Sequence, residues 1–120
     1  QEAEHRLSKA EQELRNTEVR ITTALNTAYQ ALDAAHSEIM ALRQEILPGA
    51  RSAYDAAREG YRLGKFGFLD VLDAQRTLFG SKNQYLAALA NYHKSVADVE
   101  RLVGSAMNET TANSQPEVSP

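Results

Sequence analysis

The chain contains no cysteine and no tryptophan, and only three prolines among its 120 residues. Without cysteine there is no thiol nucleophile, no disulfide and no thiolate metal site. Apolar runs are also short, far below the roughly 18 consecutive residues that a membrane-spanning helix needs. Excess positive charge is missing as well. Thirteen Lys and Arg stand against 16 Asp and Glu, a net charge of -3, and nothing resembles the basic stripe that marks a nucleic-acid surface. The chain opens on Gln1 rather than methionine, so it reads as a processed product or an excised piece, and missing targeting signals carry no information.

What is abundant is helical periodicity. Before Pro48, apolar residues recur as Leu7, Leu14, Ile21, Leu25, Ala28, Leu32, Ala35, Ile39, Leu42 and Ile46. From Ile21 onward the steps alternate four and three, the heptad rhythm that keeps one seam against a partner helix. Pro48 and Gly49 should interrupt such a helix, because proline removes a backbone donor and its ring crowds the preceding turn. Ile46, Gly49, Ala53, Ala56 and Gly60 nevertheless continue the same steps. The expectation is one long helix from about Glu2 to Arg62, bent near Leu47 and not reversed.

A stronger break follows at Leu63-Gly64-Lys65-Phe66-Gly67. Gly64 suits the left-handed residue that closes a helix, and Gly67 suits the cap of the next one. Asp70, three positions on, can reach back to the cap amide and meet the helix dipole. The second helix is expected from about Phe68 to Ser105, with a tail over 108–120 too polar to fold. Its seam is Val71, Leu78, Tyr85, Leu89, Tyr92, Val96, Val99 and Val103, and Leu72, Phe79 and Leu86 form a second stripe beside it. Two stripes imply two sets of neighbours, hence further helices. At about 1.5 Å per residue the first helix outruns the second by roughly 30 Å, which should leave Leu7, Leu14 and Ile21 without partners in the chain.

Candidate chemistry is sparse. Asp70 and Asp73 lie one turn apart on one helix face, and no base, acid or metal partner accompanies them as an active site would require. His5, His36 and His93 are isolated, and Asp33 and Glu38 do not converge with His36 on one face. No catalytic, cofactor or metal site is expected. Asn108-Glu109-Thr110 is a glycosylation sequon of the kind that arises often by chance.

The segment Tyr61-Arg-Leu-Gly64-Lys-Phe-Gly-Phe-Leu-Asp70-Val-Leu-Asp73-Ala-Gln75 resembles the signature of TolC-like outer-membrane efflux proteins at the periplasmic tip of their second helical hairpin. Ile46-Leu47-Pro48-Gly49 upstream, and Tyr85, Tyr92 and Leu102-Val103-Gly104 downstream, fit the same pattern. Around the tip the wording is most similar to the outer-membrane components of cobalt-zinc-cadmium type cation exporters. The resemblance implies an all-α antiparallel coiled-coil hairpin, a fragment of a trimeric α-helical barrel. It implies a non-enzymatic exit duct for substrates such as heavy-metal cations, in the outer membrane of a Gram-negative bacterium, with this segment in the periplasm. The implied partners are two further copies in the full-length protein, a periplasmic adaptor, an inner-membrane transporter, and the membrane itself through a β-barrel outside this chain.

Residue roles follow from the same resemblance. Asp70 and Asp73 would form an acidic ring at the channel entrance. Leu63, Gly64, Lys65, Phe66 and Gly67 would be the tip that meets the adaptor. Tyr61 would donate a hydrogen bond that holds the entrance closed. The pattern departs at Phe66, where the family commonly has a polar or basic residue, and at Gly67, where it has Ser or Thr. An adaptor hairpin is the first alternative, but its flanking β segments and Arg/Leu/Ser tip are missing. A plain coiled-coil scaffold is the second.

Overall fold

The computed structural model describes residues 1–114, with side chains to Thr111. The fold is all-α, two long antiparallel helical arms joined by one tight reversal. The first arm comprises α1 (Glu2–Ala41), a π-helical turn (Leu42–Ile46) and α2 (Leu47–Arg62), and the second is α3 (Phe68–Ser114). The described residues divide into two compact units, residues 33–94 and residues 1–32 with the part of α3 from residue 95 onward.

Within the 33–94 unit, helical dihedrals run unbroken across the junctions at Ala41, Ile46 and Leu47. The interruption that Pro48 demands is met by widening the helix one turn early. The Leu47 amide donates to the Leu42 carbonyl, a five-residue reach in place of four. The proline has no amide to offer the preceding turn and its ring crowds the carbonyl four residues back, and a single π-turn loosens that turn without unwinding the helix.

The widening corrects the expected seam. Ala35, Ile39 and Leu42 are buried as the heptad requires, but the next inward positions are Leu47, Ala50, Tyr54 and Ala57. Ile46 is 41% exposed, and Gly49, Ala53 and Ala56 face outward as well. The step from Leu42 to Leu47 spans five residues, so the inward face resumes one position late. The helix does continue through Pro48, but unbroken phase is not the reason.

The core of this unit is narrow. Ile39, Leu42 and Ala88 form its centre, flanked by Tyr85, Leu89 and Tyr92. Leu42, 1% exposed, is the largest fully buried side chain, and burying it contributes about 1.5–3 kcal/mol. Nearer the reversal the contact is made by Ala50, Ala57, Leu78 and Ser81. The Ser81 hydroxyl donates to the Thr77 carbonyl at 2.9 Å, which satisfies it without a partner across the seam.

In the other unit, Ile21 and Leu25 lie beside Ala106 and Thr110, and Leu25 also lies beside Val103. This corrects two expectations. Ile21 is half-buried and has neighbours in the chain. The second helix continues past Ser105 to Ser114, through most of the stretch expected to be a tail. Gly104 lowers helix propensity without ending a helix, and no proline intervenes before Pro116. The Thr110 and Thr111 hydroxyls turn back onto the Ala106 and Met107 carbonyls at 3.0 and 2.9 Å. The sequon residues Asn108, Glu109 and Thr110 are therefore helical. Residues 115–120 of the expected tail lie outside the described residues. Leu7 and Leu14 remain exposed.

The one-residue shift makes a deletion experiment decisive. Removing Gln44 from the π-turn while changing Pro48→Ala should give a continuous α-helix whose seam stays in phase. Urea unfolding should place that variant within about 1 kcal/mol of the parent, whereas deleting the exposed Ser52 in the same background should cost at least ~2 kcal/mol by rotating Tyr54 and Ala57 off the seam. Equal losses would mean the π-turn does not set the register.

Candidate functional site at the hairpin tip

The reversal is built from two caps placed back to back. Gly64 has φ +76°, the one residue with positive φ among the described residues. Around it the Lys65 amide donates to the Gly60 carbonyl at 2.7 Å and the Gly64 amide to the Tyr61 carbonyl at 3.0 Å. These are the two bonds of a Schellman motif, which satisfies carbonyls that a helix end would leave open. A second donor, the Phe66 amide, reaches the same Gly60 carbonyl at 3.2 Å.

Two residues further on the next helix is capped from inside. The Gly67 amide donates to Asp70 Oδ2 at 3.0 Å, while the Asp70 amide donates to the Gly67 carbonyl at 3.1 Å. Gly67 has no side chain to complete the reciprocal half of a capping box, so the carboxylate does the capping alone. Its charge also meets the positive end of the helix dipole. Asp73 follows one turn later, exposed, its carbonyl accepting from the Thr77 hydroxyl at 3.1 Å. Among the described residues no basic side chain pairs with either carboxylate.

Aromatic packing stiffens the turn. The ring of Phe66 lies against Gly60, so closely that a Cβ on Gly60 would fall 2.0 Å from its Cδ2. Phe66 is thus half-covered, with its outer face in solvent. Tyr61 packs on Phe68, ring centroids 5.7 Å apart. Arg62 donates from Nε to Glu59 Oε2 at 3.1 Å. That hydrogen bond holds the Glu59 carboxyl below, and the Arg62 guanidinium above, their ordinary pKa values. Both groups are exposed, where such pairs contribute little. Beside them an open groove of about 790 Å³ runs between the arms, lined by Tyr54, Arg58, Tyr61, Phe68, Leu72 and Gln75 among others.

The structure therefore gathers Tyr61, Leu63, Gly64, Lys65, Phe66, Gly67, Asp70 and Asp73 into one reversal. Sequence reading missed Gly60. Spacing places it on the seam, and its role as the seat of Phe66 emerges only when the chain doubles back. A glycine six residues before an aromatic across a helix end was the available signal. The histidines lie elsewhere. His36 approaches Tyr92, with centroids 6.2 Å apart, and among the described residues no group of three or more His, Cys, Asp or Glu is placed to hold a metal ion.

Gly60 yields a test with a change of sign. Gly60→Ala should destabilise the chain, since the new methyl expels the Phe66 ring. In a Phe66→Ala background the same substitution should stabilise by about 0.5–1 kcal/mol, the ordinary helix preference for Ala over Gly. Urea unfolding of the four proteins measures both effects, and the same sign in both backgrounds would contradict the packing described.

Comparison with known proteins fits this geometry. The profile of the outer membrane efflux protein family matches residues 1–105. The cobalt-zinc-cadmium resistance protein CzcC of Cupriavidus metallidurans is 43% identical over 44 residues, covering 37% of this chain and 10% of that protein. The matched stretch thus represents about a tenth of that relative's length. Among the described residues no helix is long and apolar enough to cross a membrane. With most of its length matched, the chain belongs to the outer membrane efflux protein family, whose members are transport channels and not enzymes.

Proposed function

We propose that this hairpin is the periplasmic end of an exit duct in a tripartite efflux pump, and that its tip is the duct's entrance. The full-length protein is a trimer on this reading, held in the outer membrane by a β-barrel outside this chain. A periplasmic adaptor bridges it to an inner-membrane transporter. The observation that carries the reading is the double-capped reversal, which fixes Asp70 on the Gly67 amide and leaves Asp73 exposed one turn on, neither facing a basic side chain among the described residues. Threefold symmetry would bring such carboxylates together around one axis. A ring of that kind attracts cations and resists anions, as acidic rings do in other channels.

The cargo on this reading is a heavy-metal cation. Support comes from the short match to a cobalt-zinc-cadmium resistance protein and from the sign of the charge at the tip. The tip draws the cation by its field and does not enclose it, since among the described residues no group of three or more His, Cys, Asp or Glu is placed to hold a metal ion. Leu63 through Gly67 would meet the adaptor, with the outer face of Phe66 as an apolar contact. Tyr61, whose ring already leans on Phe68, would present its hydroxyl to a neighbouring hairpin.

The acidic ring is tested in the full-length protein. Asn at position 70 keeps an oxygen that can accept from the Gly67 amide, so Asp70→Asn with Asp73→Asn should remove charge while sparing the cap. Single-channel recording in a planar bilayer should then show reduced cation selectivity and loss of block by divalent cations added at the periplasmic side. A folded double variant that keeps both properties would reduce the two aspartates to helix-start residues.

A further inference from the structure

Away from the tip, the 33–94 unit carries a second groove that the proposed function leaves unused. It encloses about 330 Å³ between Arg43, Leu47, Pro48 and Arg51 on the first arm and Leu78 and Lys82 on the second. Three of these six residues are cations and none is an acid, in a chain of net charge -3. Among the described residues neither Arg43, Arg51 nor Lys82 pairs with a carboxylate. The Lys82 ammonium rests 5.7 Å over the Phe79 ring, a contact that leaves its hydrogen-bonding capacity unused.

The surroundings show what shape would fill it. Phe68, Leu72, Gln75, Phe79, Lys82 and Leu86 advance along α3 by steps of four and three, so they form one heptad face. Phe79 and Leu86, on either side of Lys82, are 52% and 63% exposed. A surface with this rhythm fits another helix lying alongside α3, whose side chains would enter between the Phe79 and Leu86 knobs. Covering the groove with neutral or basic residues would strip water from three unpaired charges, which is costly, whereas carboxylates would satisfy them.

We infer that this flank seats an acidic helix of the same full-length protein, contributed from outside residues 1–120, with its carboxylates on Arg43, Arg51 and Lys82. The inference rests on the duct reading, in which this hairpin is one of several packed side by side. The same protein is favoured over an adaptor because the heptad face runs along the helix for several turns, as a lengthwise neighbour requires.

Zero-length coupling with a water-soluble carbodiimide tests the contact, since it joins a lysine only to a carboxylate touching it. The full-length protein is treated in outer-membrane vesicles together with its adaptor, as wild type and as the Arg43→Lys and Arg51→Lys variants. Mass spectrometry should find Lys82, and at least one introduced lysine, joined to Asp or Glu in a helix of the same protein outside this segment. Coupling of these lysines only to the adaptor, only within residues 1–120, or to nothing while other lysines of the protein couple, would overturn the inference. As a second arm, Arg51→Glu with Lys82→Glu should lower recovery of the trimer about tenfold, while Arg51→Gln with Lys82→Gln lowers it less. Equal recovery for wild type and the charge-reversed variant would overturn the inference and leave the duct intact, whereas a wild type that forms no trimer would instead refute the duct reading.

Discussion

Two helices lying side by side can bury only one stripe of each, and that limit governs everything else in this chain. The stripe is made chiefly of small residues. Ala35, Ala50, Ala57, Ala88, Ser81 and Ser95 are buried, with Ile39, Leu42, Leu78 and Val99 as the larger members. Alanine faces let helices approach closely, but each buries little apolar area and so contributes little hydrophobic stabilisation. Many of the large apolar side chains of α3 point the other way: Phe68, Leu69, Phe79 and Leu86 are all exposed. A self-sufficient coiled coil would place its bulk inside. This arrangement suits a hairpin whose outer faces are covered by other helices.

The tip obeys the same economy at smaller scale. Reversal within a few residues leaves helix ends open, and with few side chains nearby they must be closed by backbone and glycine geometry. Gly64 supplies the left-handed turn, Gly60 supplies both a doubly used carbonyl and a seat for Phe66, and Asp70 closes the start of α3. On the proposed function, the residue that caps the helix also contributes charge to the entrance. Architecture and selectivity would then share one side chain, and only a substitution that keeps an acceptor oxygen for the Gly67 amide would separate the two.

The reversal was legible in the sequence because its signals are local: a glycine that tolerates positive φ, a glycine cap, and an acid three residues later. The two stripes of α3 were legible from spacing alone. The shifted seam was not. A heptad reading assumes a uniform α-helix, and the extra residue absorbed between Leu42 and Leu47 leaves no mark beyond the proline that provokes it. The length of α3 is hidden for another reason. Asn108, Thr110 and Thr111 read as loop by composition, yet the threonines bond back along the helix and Ala106 and Thr110 find Ile21. The groove of Arg43, Arg51 and Lys82 was invisible because its members come from both arms and converge only through the antiparallel pairing.

On the proposed function the hairpin is incomplete by itself, its seam too slight and its outer faces too apolar for an independent monomer. Sedimentation equilibrium combined with circular dichroism on the isolated 120-residue chain, across a wide concentration range, tests it most directly. Weak helicity is expected when dilute, with helicity rising together with association as concentration increases. A fully helical, stable monomer at micromolar concentration would contradict it.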